Sequence, residues 1–520
     1  MSSEIRSGYT DHLGGTVTPR VNYYYNALDD VARVFKYGKT GSINHTDSHY
    51  VYAKGGRLTS VTDGNGFVRT YRYDAKGQLV REEYVRATAT QGNKTEGIGY
   101  EFDKEGRVTA QGAVWKSGST WTRSGLDVIQ SKYNAFGDVI ERGVNGKYSE
   151  KLAYDNAGRL WRTNSGDGAY KYFLYDNNGN QSLVVTSDGR NIDNKTIAQV
   201  LAIWGVSAND ANNNNIVDYA DRVRTDFESD VTATLTRYDA RNLAIEVREP
   251  EREVKIGAAR SDFVTKRSYN AFGEVISETD ALNNTINYTY NTIGRRTKVE
   301  SPTVSITGEN GVKSNVRPTE HYYYDISGRL VASRDANGNL TRQTLLSGTG
   351  YNGSEALITQ TIAADGGKVT TQYDIQGNAR KVTDQINRVT LHSFDKQGRL
   401  TQTNHAGGLI NYYAYDGLGQ QIKQYNNVYG SGNAQQTDYD AQGRLTRSRA
   451  IGGDVTTHSY VWTASAAHNL SAHGGWQQNT TLANGKVSRS YKDVFGRVVK
   501  TTDLGGRDTS YTYDLSLIHI

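Results

Sequence analysis

Short runs of alternating apolar and polar residues recur along the chain, separated by turn sequences rich in Asp, Asn and Gly. Alternation at every second residue is the pattern of a half-buried β-strand. Runs of about five or six residues correspond to strands of roughly 17–20 Å. The pattern therefore predicts many short antiparallel strands.

The turns belong to a repeated motif: an aromatic residue, then usually Asp or Asn, two further residues and Gly. Its clear copies begin at Tyr73, Phe102, Tyr133, Tyr154, Tyr175, Tyr269, Tyr290, Tyr324, Tyr373, Phe394, Tyr415 and Tyr439. Several neighbouring copies start 21 residues apart, as at positions 133, 154 and 175 and again at 373, 394 and 415. A fixed period of this length indicates a repeat architecture.

Each repeat predicts two turns and two strands. Asp or Asn at the start of a type I turn accepts backbone hydrogen bonds, and Gly at its fourth position takes the positive φ that closes a hairpin. A second Asp-led turn follows half a period later, as Asp384 follows Asp374. Successive hairpins form a long antiparallel ribbon, with the Tyr rings expected to stack on one face. Stability spread over many repeats predicts small effects of single substitutions except at turn glycines.

The Tyr-Asp motif, its period and the following Arg-Leu pair, as at Arg159-Leu160, resemble the Rhs family, also called YD-repeat proteins. The resemblance covers Tyr25 to Asp514. It implies a ribbon that spirals into a hollow β-shell, which in the bacterial members holds a C-terminal toxin until delivery. An Asp-Pro-x-Gly-Leu-like cleavage motif, usual in that family, is absent from the sequence, so we expect a piece of a larger protein.

One segment departs from the repeat. Ile197, Val200, Leu201 and Trp204 have helical spacing, and Ala220, Val223 and Phe227 repeat it. Oxygen-bearing side chains lie between them at loop positions 1, 3, 5, 9 and 12, the spacing of an EF-hand calcium loop: Asp210, Asn212, Asn214, Asp218 and Asp221. The loop resembles the dockerin type and predicts Ca²⁺ binding; the alternative is an Asn-rich linker between two packed helices.

Composition narrows the possible functions. The 520 residues include no Cys, 37 Tyr, 60 Lys and Arg, and 55 Asp and Glu. Absence of Cys excludes disulfides and thiol chemistry. Basic and acidic residues are interleaved, so no nucleic-acid partner is expected. No apolar run suits a transmembrane segment. The turn carboxylates have structural roles, and no catalytic motif is present, so we do not expect an enzyme.

The predicted fold is mainly β: a ribbon of YD repeats curling into a partial, open shell with one small helical insertion. The expected segments are repeat sheet over 1–192, a helix-loop-helix insertion over 193–230, repeat sheet over 231–514 and a tail over 515–520 that looks foreign to the gene. The expected function is a shell segment of a bacterial toxin. Its partner would be an encapsulated toxin domain of the same polypeptide or of a partner subunit, and its location secreted or at the cell surface, through a signal outside this sequence.

The alternative function is a surface adhesion module. Exposed aromatic side chains would then stack on cell-surface glycans, and the candidates are Trp115, Trp121, Trp462 and Trp476. Core packing explains the same residues equally well, and their location discriminates between the two interpretations.

Overall fold

A computed structural model describes residues 1–38, 45–186, 232–252, 261–308, 311–350, 355–463 and 474–513. The predicted insertion at 193–230 and the predicted tail at 515–520 lie outside these residues. Within them, the structure is β throughout except for one 3₁₀ turn at Ser431–Asn433. No described helix is long and apolar enough to cross a membrane.

Nearly all of the strands are short, as the alternating runs predict. In chain order the first are β1 Ser2–Ile5, β2 Tyr9–Thr10, β3 Thr16–Val17, β4 Arg20–Tyr25, β5 Val31–Tyr37, β6 Thr46–Tyr52, β7 Leu58–Thr62, β8 Val68–Tyr73, β9 Leu79–Ala87, β10 Asn93–Phe102, β11 Val108–Ser117, β12 Thr120–Thr122, β13 Ile129–Tyr133, β14 Val139–Val144, β15 Lys147–Tyr154, β16 Leu160–Thr163, β17 Lys171–Tyr175, β18 Gln181–Thr186, β19 Thr232–Tyr238, β20 Ala244–Arg252 and β21 Ser261–Tyr269. They continue as β22 Val275–Thr279, β23 Thr285–Tyr290, β24 Arg296–Glu300, β25 Val304–Thr307, β26 Lys313–Val316, β27 Thr319–Tyr324, β28 Leu330–Arg334, β29 Leu340–Leu345, β30 Ile358–Ile362, β31 Lys368–Tyr373, β32 Ala379–Thr383, β33 Val389–Phe394, β34 Leu400–Asn404, β35 Ile410–Tyr415, β36 Gln421–Asn426, β37 Gln435–Tyr439, β38 Leu445–Arg449, β39 Val455–Thr463, β40 Gly475–Thr481, β41 Val487–Asp493, β42 Val498–Thr502 and β43 Asp508–Ser510.

Strands pair antiparallel in chain order, which makes one continuous ribbon. Of the described strands, 39 belong to a single sheet, and β2–β3 and β25–β26 form separate hairpins beside it. The ribbon bypasses these hairpins where β1 pairs with β4 and β24 with β27. No described pairing joins β1 to β43, so the sheet is not closed into a barrel. The predicted long antiparallel ribbon is confirmed.

The motif turn has the predicted hydrogen bonds. In the copy at Tyr154, Asp155 Oδ1 accepts from the backbone N–H groups of Ala157 and Arg159, each at 2.9 Å. Gly158 has φ +76° and donates its N–H to the Asp155 carbonyl at 3.0 Å. Asn242, which replaces Gly in a looser copy, also takes a positive φ, of 63°. Sequence and turn geometry therefore agree residue by residue.

The motif tyrosine links one repeat to the previous one. In several copies its hydroxyl donates to a backbone carbonyl 15 residues earlier, as from Tyr73 to Leu58 at 2.8 Å and from Tyr175 to Leu160 at 2.6 Å. In others the separation is longer, such as the 25 residues from Tyr133 to Val108. The Arg that follows the motif Gly lies over the next motif ring: the Arg159 guanidinium is 4.6 Å from the Tyr175 centroid. The expected Tyr-on-Tyr stacking is therefore wrong for these copies, because arginine contacts the motif ring.

The described ribbon lacks a large apolar core. Fully buried apolar side chains are few and scattered, such as Leu183 and Val185. Most strand residues are partly buried, as in β7, where all five are intermediate. Both faces of the described sheet therefore remain partly accessible.

Candidate functional site: the seam between coils

The ribbon has two edges, each formed by turns between strands. We call the edge formed by the motif turns, such as Asp155–Arg159, the motif edge. The intervening turns, such as Asp63–Phe67, form the opposite edge. Because every strand runs from one edge to the other, successive turns along the chain lie alternately on the motif edge and on the opposite edge.

The ribbon returns on itself, and the motif edge of residues 374–497 packs against the opposite edge of residues 17–168. We call this contact the seam. Lys396 N donates to Asn65 Oδ1 at 3.0 Å, and Thr46 Oγ1 donates to the Lys396 carbonyl at 3.2 Å. Hydrogen bonds across the seam join residues 315 to 353 positions apart. One coil of the ribbon therefore takes somewhat more than 300 residues.

A buried ion pair lies at the centre of the seam. Arg86 in β9 and Glu96 in β10 are 0% and 1% exposed. Two hydrogen bonds of 2.6 and 2.8 Å join the Arg86 guanidinium to the Glu96 carboxylate. The same guanidinium reaches the second coil, at 3.5 Å from Asp416 Oδ2 and 3.0 Å from the Tyr439 carbonyl. Arg86 therefore neutralises charge on both coils.

Burial and charge act on this cluster together. Burial would lower the pKa of Arg86, but the hydrogen bonds and charge of Glu96, with Asp416, raise it. Burial, followed by the charge of Glu96, raises the pKa of the neighbouring Tyr84 to about 12. At neutral pH Arg86 is therefore charged and Tyr84 is neutral.

Asp438 anchors the loop after β9 to the second coil. Its Oδ1 accepts from the backbone N–H of Ala89 at 2.8 Å and of Thr90 at 3.2 Å, and its Oδ2 accepts from the Thr90 hydroxyl. The Arg447 guanidinium lies 3.7 Å from the same carboxylate. Because Asp438 is only 1% exposed, these donors replace its lost hydration.

Apolar turn residues fit against glycines across the seam. Ile375 packs on Gly38, where an added Cβ would overlap its side chain, and Phe67 packs on Gly417 in the same way. At Gly168 an added Cβ would lie 2.7 Å from the Phe495 ring. Side chains at these three glycines would therefore push the coils apart.

A tryptophan and an aspartate join the coils further along. Trp476 Nε1 donates to Asp127 Oδ1 at 2.8 Å, and Gln442 Nε2 donates to Asp127 Oδ2 at 2.5 Å. The Arg444 guanidinium lies 4.6 Å from the Trp476 ring and donates to the Gly125 carbonyl at 2.6 Å. Polar and apolar contacts thus recur along the seam.

The other tryptophans also have partners within the chain. Trp462 meets Trp476 edge-on with centroids 5.4 Å apart. Trp121 lies under the Arg81 guanidinium at 4.6 Å, and Trp115 donates to the Ser124 carbonyl at 3.2 Å. These positions fit packing roles, and Trp476 belongs to the seam.

The predicted calcium ligands lie outside the described residues: Asp210, Asn212, Asn214, Asp218 and Asp221. Within the described ranges, no group of three or more His, Asp or Glu side chains is placed to hold a metal ion. The calcium loop thus stays a prediction.

The seam could not be found from the sequence. Arg86 and Glu96 are ordinary residue types in a chain that is 22% charged. The available signal is a local break in the repeat: β9 and β10 have nine and ten residues, and their hairpin leaves the 21-residue period. A longer hairpin reaches further from the ribbon, which is how Arg86 comes to meet Asp416.

Comparison with known proteins points to one family. The RHS Repeat model matches residues 54–89 and 269–303, both of which contain copies of the motif. Double-stranded DNA deaminase toxin A of Burkholderia cenocepacia (strain H111) is 24% identical over 400 residues, 73% of this chain and 25% of the relative.

Solved structures of toxin-complex proteins are also similar. A crystal structure of TcdB2-TccC3-Cdc42 has 12% identity and a TM-score of 0.49, covering 97% of this chain and 32% of that one. The Photorhabdus luminescens Tc holotoxin pore has 13% identity and a TM-score of 0.44, covering 95% and 30%. This chain therefore spans about a quarter of the curated relative and about a third of the solved chains.

Proposed function

Because the chain belongs to the Rhs family of YD-repeat proteins, we propose that it is a non-catalytic wall segment of a bacterial protein shell. The wall encloses a toxin, either a domain of the same polypeptide or a partner subunit, and keeps it folded away from its surroundings until delivery. The proposed setting is secretion or the cell surface, in competition between bacteria.

The seam is the observation that carries this proposal. A wall must be continuous in two directions. Along the ribbon, backbone ladders supply continuity, because each strand pairs with the next. Across the ribbon, continuity requires edge-to-edge packing, and the seam provides it through a buried ion pair, glycine contacts and hydrogen bonds. A ribbon serving only as a spacer would need no such contacts.

Two further observations support a structural role. Residues on both faces of the described sheet stay partly accessible, as in β7, which fits a wall with two faces. Motif carboxylates such as Asp155 and Asp325 are engaged by backbone N–H groups and by the following arginine. Groups held in this way are poorly suited to proton transfer. The curated relative is named as a toxin, which supports a toxin-associated wall; its named activity is not assigned to this chain.

The test begins with the source locus. We expect the reading frame to continue beyond Asp514 into further repeats and an unrelated C-terminal domain. The complete protein is then expressed, and proteolysis of that domain is followed with and without seam variants such as Gly38→Leu. Enclosure predicts slow cleavage in the wild type and fast cleavage once the seam is opened. Equal cleavage rates in both proteins would refute enclosure.

A further inference from the structure

A polar cavity of about 370 Å³ lies at the seam, between the first coil and the second. The first coil lines it mainly with residues of β4, β5 and β6, and the second coil lines it with the motif turns at 375–378 and 396–398. A volume of this size is within the range of small-molecule sites. The cavity therefore has room for a small ligand that contacts both coils.

The lining of this cavity carries basic side chains and no acidic one. Four of the residues that line it are basic, Arg6, Arg20, Lys36 and Lys396, and none is Asp or Glu. Arg6 is paired with Glu4 at 3.2 Å. In the described part of the chain, no ion pair joins the other three to a carboxylate. Three cations, drawn from both coils, therefore line one cavity without a counter-charge.

The carboxylates that begin the two motif turns are already engaged. Asp374 Oδ2 accepts from the Arg380 guanidinium at 2.8 Å. Asp395 Oδ2 accepts from the Arg399 guanidinium at 2.6 Å. Because each of these carboxylates is neutralised by its own arginine, neither compensates the charge of the cavity.

Hydrogen bonds between the coils fix the backbone around the cavity. Gln376 Nε2 donates to Thr46 Oγ1 at 2.6 Å, and this hydroxyl donates to the Lys396 carbonyl. The Lys396 N–H donates in turn to Asn65 Oδ1. Thr46 also pairs with Lys36 in the register of β5 and β6. The backbones that carry Lys36 and Lys396 therefore cannot separate without breaking seam contacts.

We propose that this cavity binds a small polyanion made of phosphate groups, which bridges the two coils. Phosphate oxygens accept charge-assisted hydrogen bonds from the Arg20 guanidinium and from the Lys36 and Lys396 ammonium groups. A chain of phosphates supplies several negative charges, which matches three cations better than a single carboxylate does. The bound anion replaces repulsion between the coils with attraction, so it strengthens the seam. The proposal needs no enclosed cargo, so its failure would leave the proposed shell function untouched.

The first test is calorimetric titration of the whole chain with tripolyphosphate, in a phosphate-free buffer of low ionic strength. We expect one anion to bind per chain with a Kd of roughly 1 µM to 1 mM. Titration with ATP distinguishes the source of the phosphates: equal or weaker binding indicates recognition of the phosphate chain alone, and tighter binding indicates a nucleotide. No binding of either anion would overturn the proposal.

A pair of variants separates this site from general attraction to a basic protein. Lys36→Gln/Lys396→Gln removes one cation from each coil and should weaken tripolyphosphate binding by about tenfold or more. The matched control is Lys54→Gln/Lys76→Gln, which removes two exposed turn lysines outside the cavity. The control should bind like the wild type. An equal loss of affinity in both variants would overturn the site.

Hydrogen exchange tests whether the anion bridges the coils. The amide of residue 396 donates across the seam to Asn65, so its exchange reports local opening of the seam. Tripolyphosphate should slow this exchange in the wild type and in the control variant, but not in Lys36→Gln/Lys396→Gln. Without the anion, that variant should exchange no faster than the wild type, because the substitutions remove like charges. Exchange that the anion leaves unchanged in the wild type would refute the bridge.

Discussion

Removing the buried cation of the seam should destabilise the protein far more than removing an exposed one. In Arg86→Met the methionine retains much of the apolar stem, and what is lost is the charge and its hydrogen bonds. Glu96 and Asp416, whose side chains are 2% and 0% exposed, then lack the cation that compensates their burial. Breaking a buried pair by removing one partner costs about 3–5 kcal/mol.

The matched control is Arg267→Met. Arg267 also joins adjacent strands to a glutamate, Glu278, through two hydrogen bonds of 2.9 and 2.7 Å, but its side chain is 40% exposed. Exposed pairs contribute about 0–1 kcal/mol. Both variants remove an arginine–glutamate pair between adjacent strands, but only the Arg86 pair is buried and contacts the second coil.

Urea unfolding of both variants, followed by far-UV circular dichroism, measures the difference. Because unfolding of a repeat protein need not be two-state, hydrogen exchange at the Ala89 and Thr90 amides provides a local measurement of the seam. These amides donate to Asp438 across the seam, so Arg86→Met should accelerate their exchange, whereas Arg267→Met should not. Equal destabilisation by the two variants would refute the argument that the buried Arg86 holds the two coils together.

Three further predictions concern the turns and the calcium loop. Gly158→Val forces a β-branched residue to positive φ and should cost on the order of 1–3 kcal/mol in thermal unfolding, with Gly158→Asn milder; an unchanged melting temperature would contradict the turn. Backbone and side-chain hydrogen bonds lower the pKa of four turn aspartates, so their stabilisation is complete above the unfolded pKa of about 3.9 and is lost as pH falls through the folded values. The four are Asp239, Asp325, Asp335 and Asp384. When all four are replaced with Asn, the melting temperature should fall less steeply with pH below about pH 4. An unchanged pH dependence of the melting temperature would count against the stabilising role of these carboxylates. Calorimetric titration should show Ca²⁺ binding in the millimolar range or tighter, abolished in Asp210→Ala/Asp221→Ala; no heat in the wild type would reject the loop.

Local structure followed from the sequence because it depends on neighbours. The Asp155 turn, its Gly158 and the strand that begins at Leu160 are all specified within six residues. The 21-residue period extends such local prediction to adjacent repeats. It could have revealed the contact of Arg159 with Tyr175, which is 16 positions later. Tyr-on-Tyr stacking was a wrong expectation for these copies, because arginine, which also binds its own turn aspartate, contacts the motif ring. Tyr412 and Tyr425, in paired strands, do stack.

The seam lies beyond such reasoning because it depends on the size of the coil. Which turn of the second coil faces β9 is set by the small twist and bend of each strand pair, accumulated over more than 300 residues. A change of one repeat in the coil would bring a different motif turn to Arg86. No local residue pattern encodes this accumulated twist and bend. The glycines that permit close approach, such as Gly38 and Gly417, can be recognised only once their partners across the seam are known.

The seam also changes how stability is distributed along the ribbon. A pure nearest-neighbour ribbon would lose little from any single substitution, because each repeat contacts only the next. Here a few positions, among them Arg86, Asp438 and Gly38, hold together coils that are joined otherwise only through a long stretch of chain. The first seam contact carries the entropy cost of closing that long loop, and the other seam contacts then form without this cost. The seam contacts should therefore be lost together, so opening the wall is expected to be cooperative even though the ribbon itself is a linear array.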